Sequence, residues 1–373
     1  MQKTRNKIIT NILTVVISLI VLFFLTELAL RFSQTWGLDK SCKYYSNEND
    51  KKLCALFDSL SKALQRYNQS TIINDQGLCD QWDSELGWSP KANCKTKKYS
   101  TNSRGFRGSD EFSYESDKPR IIVLGDSLTW GENNFDDETY PFYLSQLFDY
   151  RVDVINMGVH GYGPGQFYLR YLRDGAKFSH DVVVFGLYLP DIHRSSLRIR
   201  DYFKPKFIIE NDALVLSEDS KIPSLDEALE LSRSKKEEFR LYSLSRLYLA
   251  FLRLAKMLAS YNKEVEVTLK IIEELNKKLQ SDKIDFLVVF IPHKGMVEKF
   301  NKNYFGALTS LKEGLDRLRI RYLDTTHALI LETSKSEESL YHGHLKPKGN
   351  QIIASEIHQY LNNGAYRVLV KNH

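Results

Sequence analysis

The heptad Gly125-Asp126-Ser127-Leu128-Thr129-Trp130-Gly131 follows directly on the apolar run Arg120 to Leu124, so a serine stands where a buried strand ends and the chain must turn. In an open α/β sheet that position borders the ligand cleft. A serine hydroxyl is a weak nucleophile until a base takes its proton, and the base is most often a histidine. Two histidines stand together late in the chain, in Tyr341-His342-Gly343-His344-Leu345-Lys346-Pro347-Lys348-Gly349. Serine with histidine performs acyl transfer when backbone amides hold the charge that develops on the carbonyl oxygen. The glycine-rich stretch Asn156-Met157-Gly158-Val159-His160-Gly161-Tyr162-Gly163 offers such amides. The plainer readings are a serine that only caps a helix, a glycine-rich turn and a surface histidine.

Other chemistries find less support. His342 and His344 have no nearby acidic ligand, and Cys42, Cys54, Cys79 and Cys94 show no C-x-x-C spacing, so neither a metal nor a cofactor is expected. The four cysteines permit three pairings, of which Cys42 with Cys54 and Cys79 with Cys94 give two short loops. Disulfides imply an oxidising compartment. A net charge of +5 arises from 52 basic and 47 acidic residues that are interspersed, which argues against nucleic acid as a partner.

The elements that must position Ser127 and His344 are legible as hydrophobic runs. Strands are expected at Arg120 to Leu124, Val152 to Ile155, Asp181 to Tyr188, Asp285 to Ile291 and Ile320 to Leu323. Helical periodicity falls at Tyr140 to Phe148, Gln166 to Lys177, Leu241 to Leu258, Val265 to Leu279, Phe305 to Leu318 and Lys348 to Leu361. This alternation predicts an α/β fold, a doubly wound parallel sheet of about five strands. Loops starting at Gly125, Asn156, Leu189 and Pro292 then border one cleft. The stretch from about 194 to 242, with Pro205, Pro223 and many charges, reads as an insertion over the sheet.

Ahead of this domain, residues 8–31 are mostly apolar and are preceded by Lys3, Arg5 and Lys7. That length predicts a transmembrane anchor, with residues 1–7 as a cytoplasmic tail and the rest extracytoplasmic, in the periplasm or at the cell surface. A cleavable signal peptide is the rival, but the run exceeds the usual h-region and Arg31-Phe32-Ser33-Gln34-Thr35 is a poor cleavage site. Residues 32–116 read as a stalk or lead-in, 117–365 as the α/β domain and 366–373 as a tail.

The chain resembles the SGNH, or GDSL, hydrolases, an esterase family, through four blocks in order. Gly125-Asp126-Ser127 matches the first, which implies Ser127 as nucleophile and its amide as an oxyanion donor. Gly161 matches the glycine of the second, whose amide also donates. The third normally reads Gly-x-Asn-Asp; here Gly186-Leu187-Tyr188-Leu189-Pro190-Asp191 puts proline at the asparagine, and proline has no donor. The fourth implies His344 as the base, yet Tyr341 and His342 occupy the places where an aspartate precedes it; Glu337, Glu338 and Asp324 are the candidate substitutes. Leu86-Gly87-Trp88-Ser89-Pro90 and Asn102-Ser103-Arg104-Gly105-Phe106-Arg107-Gly108 resemble the lead-in of membrane-anchored bacterial members. The resemblance implies an esterase, deacetylase or acyl transferase acting on O-acylated envelope or surface glycans or small esters. The two departures leave a second reading open, a non-catalytic glycan-binding or scaffolding protein.

Overall fold

The computed structural model describes residues 79–198, 200, 202–224, 226–227, 261–299, 305–335 and 338–365, with Ser18 and Leu25 as single positions. Among these, no helix is long and apolar enough to cross a membrane. The expected anchor over 8–31, the cysteines Cys42 and Cys54, and the helix expected from Leu241 to Leu258 lie outside the described residues.

The strands are β1 (Asp80–Asp83), β2 (Gly87–Pro90), β3 (Arg120–Gly125), β4 (Asp153–Asn156), β5 (Val182–Tyr188), β6 (Phe207–Glu210), β7 (Ala213–Leu216), β8 (Asp285–Ile291), β9 (Tyr322–Asp324), β10 (Tyr341–His342) and β11 (His344–Leu345). The α-helices are α1 (Ser127–Trp130), α2 (Tyr140–Leu147), α3 (Pro164–Arg173), α4 (Tyr261–Ser281), α5 (Lys294–Lys299), α6 (Phe305–Leu318), α7 (Thr326–Lys335) and α8 (Pro347–Tyr360). A 3-10 helix, Leu189–Ser196, follows β5. Five strands form one sheet in the order β4-β3-β5-β8-β9, and every pairing in it is parallel. The carboxyl ends at Gly125, Asn156, Tyr188 and Ile291 therefore point the same way, which gathers the four following loops at one edge.

Both faces of the sheet are covered, which is why β5 and β8 lack a polar alternation. On one face Ile121, Val123, Val182, Val184, Leu287 and Val289 pack with Tyr140 and Leu144 of α2 and Ile353 and Ile357 of α8. Each such side chain taken from water contributes about 1.5–3 kcal/mol. On the other, Phe185 meets Phe167 of α3 at 5.1 Å between ring centroids. Prolines start these helices where a missing N–H costs nothing: Pro164 in α3 and Pro347 in α8.

From Cys79 onward the lead-in packs against the sheet domain. Cys79 and Cys94 are bonded to each other. Trp88 Nε1 donates to the His160 carbonyl at 3.0 Å, and Gln166 Nε2 donates to the Leu86 carbonyl at 2.8 Å. The buried Arg107 donates through Nε to Asp136 at 2.6 Å. Within the expected insertion, β6 and β7 form an antiparallel hairpin whose Phe207 packs on Val267 and Ile271 of α4.

Candidate active site

Ser127 is held by a turn that depends on small residues. Asp126 caps α1, its Oδ1 accepting from the Leu128 amide at 2.9 Å. A Cβ at Gly125 would lie 1.9 Å from Thr129 Oγ1, and one at Gly158 would lie 2.5 Å from the Trp130 amide, so only glycine lets the serine turn and the next loop close together. Asn156 ties that loop down: its Nδ2 donates to the Thr129 carbonyl at 2.9 Å and its Oδ1 accepts from the Gly158 amide at 3.0 Å. Gly161 within the loop has φ +76°, a conformation that favours glycine. Among the described residues neither the Ser127 nor the Gly161 amide has an acceptor.

His344 arrives on the opposite side, on the tight hairpin of β10 and β11 with Gly343 at φ +75°. Tyr341 Oη anchors the hairpin on the Pro292 carbonyl at 2.9 Å, and Asn134 Nδ2 on the Leu345 carbonyl at 2.9 Å. These contacts bring His344 Nε2 to 3.0 Å from Ser127 Oγ, across 217 positions of sequence. That distance is within the reach a base needs of the hydroxyl it deprotonates.

The other ring nitrogen, Nδ1, faces Asn133 Nδ2 at 3.3 Å. No carboxylate lies within ion-pair distance of either nitrogen among the described residues. Glu338 pairs with Lys346 and Asp324 with Lys312, Glu337 lies outside the described residues, and His342 is exposed. Of the substitutes expected for the acid, then, Glu338 and Asp324 are engaged elsewhere, and a neutral amide stands in the acid's place. With Nδ2 donating to Nδ1, the imidazole proton sits on Nε2 and is donated to Ser127 Oγ. Ser127 Oγ in turn donates to Asp126 Oδ2 at 3.2 Å. In this arrangement the hydrogen bonds run away from His344; turning the Asn133 amide to present Oδ1 reverses the tautomer and makes Nε2 the acceptor.

Burial pushes the His344 imidazole below its ordinary pKa, with the charges of Glu132 and Asp126 acting upward and those of Arg194 and His160 acting downward. A neutral ring is the form that accepts a proton.

Pro190 sits on the 3-10 helix, as the sequence implies without a donor, and shares its helical face with His193 and Ser196. His193 Nδ1 and Ser196 Oγ both bond Glu264 of α4, at 2.7 and 2.9 Å. The neighbouring face carries Asp191 and Arg194 toward the nucleophile turn. Arg194 Nη1 stands 2.8 Å from Asp191 Oδ1 and 3.3 Å from Asp126 Oδ2, and donates to the Tyr162 carbonyl at 2.7 Å. Complete burial, reinforced by Asp126, holds the Asp191 carboxyl well above the usual range, while Arg194 acts the other way. Asn133, Asp191 and Arg194 are thus residues at the site that motif reading did not supply as working groups; Asn133 lies outside every block, and Arg194 stands at the start of the stretch read as an insertion.

No protein-family model and no curated protein matches the chain. Solved structures similar to it include the acetyl xylan esterase AlAXEase, at 14% identity over 65% of this chain and 99% of that one, with a TM-score of 0.40. A member of the lipolytic G-D-S-L family from Veillonella parvula is 12% identical over 65% of this chain and 98% of that one, TM-score 0.40. A catalytic variant of an acetylxylan esterase from Geobacillus stearothermophilus is 12% identical over 67% and 97%, TM-score 0.40. The assignment of the site rests on its own geometry.

Proposed function

We propose that the protein is a serine esterase or acyl transferase of the SGNH type that works on O-acylated glycans of the cell envelope through Ser127 and His344. The observation that carries the reading is the 3.0 Å contact between His344 Nε2 and Ser127 Oγ at the carboxyl edge of the sheet. Ser127 Oγ attacks the ester carbonyl as its proton passes to His344 Nε2, and the carbonyl electron pair moves to the oxygen. The Ser127 and Gly161 amides hold that oxyanion. His344 returns the proton to the departing alkoxide, which leaves Ser127 acylated, and water or a sugar hydroxyl then takes the acyl group by the reverse sequence.

The glycan substrate and the envelope location rest on the family resemblance and on the apolar, cation-flanked segment 8–31, with the Cys79 to Cys94 bond in keeping with an oxidising compartment. One observation favours the second reading, a glycan-binding protein without activity: an amide, not a carboxylate, meets His344 Nδ1. Acetate release from an O-acetylated glycan panel decides between them. Hydrolysis or transfer by the wild type that Ser127→Ala abolishes supports the esterase; binding of the glycans with no acyl release by the folded wild type supports the scaffold.

A further inference from the structure

The oxyanion asparagine of the third block is absent, and the structure assigns its work to Arg194: we propose that the Arg194 guanidinium is the third group stabilising the tetrahedral intermediate formed on Ser127. This inference rests on the esterase reading. Asp126 Oδ2 accepts from Ser127 Oγ at 3.2 Å and lies 3.3 Å from Arg194 Nη1, so the cation and the nucleophilic oxygen are neighbours on one carboxylate oxygen. The same Nη1 bonds the carbonyl of Tyr162, the residue after the Gly161 amide. Arg194 Nη1 therefore joins the nucleophile turn, through Asp126, to the loop that carries the Gly161 amide, through Tyr162. Its field already reaches the catalytic base, since it acts to lower the His344 pKa.

The cation is fixed before substrate arrives, which is what makes such stabilisation effective. Its helix is pinned by α4 and by Lys204. His193 and Ser196 bond Glu264, and Ser195 Oγ pairs with Thr268 Oγ1 at 2.8 Å. The Lys204 ammonium, 1% exposed, donates to the carbonyls of Arg194 and Leu197 at 3.0 Å each, satisfying the end of the 3-10 helix. A Cβ at Gly163 would lie 2.6 Å from Arg194 Cβ, so that glycine lets the arginine stem lie against the oxyanion loop. The Arg194 side chain is 12% exposed, so the cation is largely buried beside the nucleophile turn. Burial pushes the Asp191 carboxyl above its usual range, which weakens it as a counter-charge to the guanidinium, and a cation acts most strongly on developing negative charge in a site of low dielectric.

The test compares wild type, Arg194→Lys and Arg194→Gln with an activated acetyl ester and with phenylboronic acid, which forms a tetrahedral anion on the serine. A group acting on the oxyanion gives a fall in kcat of about 10²- to 10³-fold in Arg194→Gln with KM little changed, a parallel loss of boronate affinity, and an intermediate Arg194→Lys. Equal kcat and boronate affinity in Arg194→Gln overturns the proposal, as does a loss confined to KM and thermal stability. If neither variant folds, the boronate complex of the wild type decides: an Arg194 nitrogen within about 2.7–3.1 Å of the boronate oxygen supports the role, and one held away from it overturns it. A wild type that forms no boronate adduct and hydrolyses no ester refutes the esterase reading itself, which is a different outcome.

Discussion

Replacing Asn133 by aspartate places a carboxylate where the structure has an amide, 3.3 Å from His344 Nδ1. Asn133 lies in the left-handed region at φ +70°, which aspartate tolerates almost as well as asparagine, so the backbone need not move. Two effects favour turnover. The carboxylate accepts only, which forces the proton onto Nδ1 and leaves Nε2 as the acceptor that Ser127 requires. It also stabilises the imidazolium that forms as Ser127 attacks. Removing this acid from a serine triad costs about 10⁴-fold, but position 133 is exposed, and solvent screening reduces the gain. At a separation of about 4 Å the attraction is about 1 kcal/mol in water and about 4 kcal/mol near a protein surface, equivalent to roughly 5-fold to 10³-fold in rate. The assay is the pH dependence of kcat/KM for an activated ester. Asn133→Asp is expected to raise the plateau within that range and to move the acidic limb upward, because an adjacent anion favours the charged ring. An unchanged plateau and an unchanged limb would falsify the assignment of this position as the acid's place.

The wild type has its own pH signature: only neutral His344 accepts the proton and burial lowers its pKa, so kcat/KM rises with pH through a value below 6.5 and persists into mildly acid solution. A limb above 6.5 would contradict the burial argument. Pro190→Asn is expected to change kcat by less than about 3-fold, since that face of the 3-10 helix looks to α4 and the stabilising group is elsewhere; a tenfold rise in the Arg194→Gln background alone would show that the asparagine site is intact and merely unused. Breaking the Cys79 to Cys94 bond by Cys79→Ser with Cys94→Ser removes a closure over a separation of 15 residues, expected to cost about 3 kcal/mol in denaturant unfolding. No loss of stability would mean that the lead-in is held to the domain by its packing alone.

The parallel sheet was legible because β5 and β8 are buried on both faces and write their hydrophobicity as unbroken runs, Val182–Tyr188 and Asp285–Ile291. Ser127 and His344 were legible because each sits in a motif that its local backbone requires, a capped turn after β3 and a proline-started helix after β11. Boundaries were less legible: α3 begins at Pro164 rather than Gln166, because a proline can open a helix ahead of its apolar stripe. The short hairpins β1 with β2 and β6 with β7 went unread, since four-residue strands carry little periodicity. Asn133 was beyond sequence reasoning for a physical reason. Its meeting with His344 is made by tertiary contacts, Asn134 on the Leu345 carbonyl and Tyr341 on the Pro292 carbonyl, that join segments about two hundred and about fifty residues apart. Arg194 was likewise hidden, because its role depends on which face of a 3-10 helix α4 leaves facing Ser127.

Intact-mass analysis after exposure to a fluorophosphonate asks directly whether Ser127 is an activated nucleophile. One adduct is expected on the wild type, none on Ser127→Ala, and labelling of His344→Ala slowed by orders of magnitude in a protein that unfolds at the wild-type temperature. A folded wild type that takes up no probe, or one labelled equally when Ser127 is alanine, would contradict that role of Ser127.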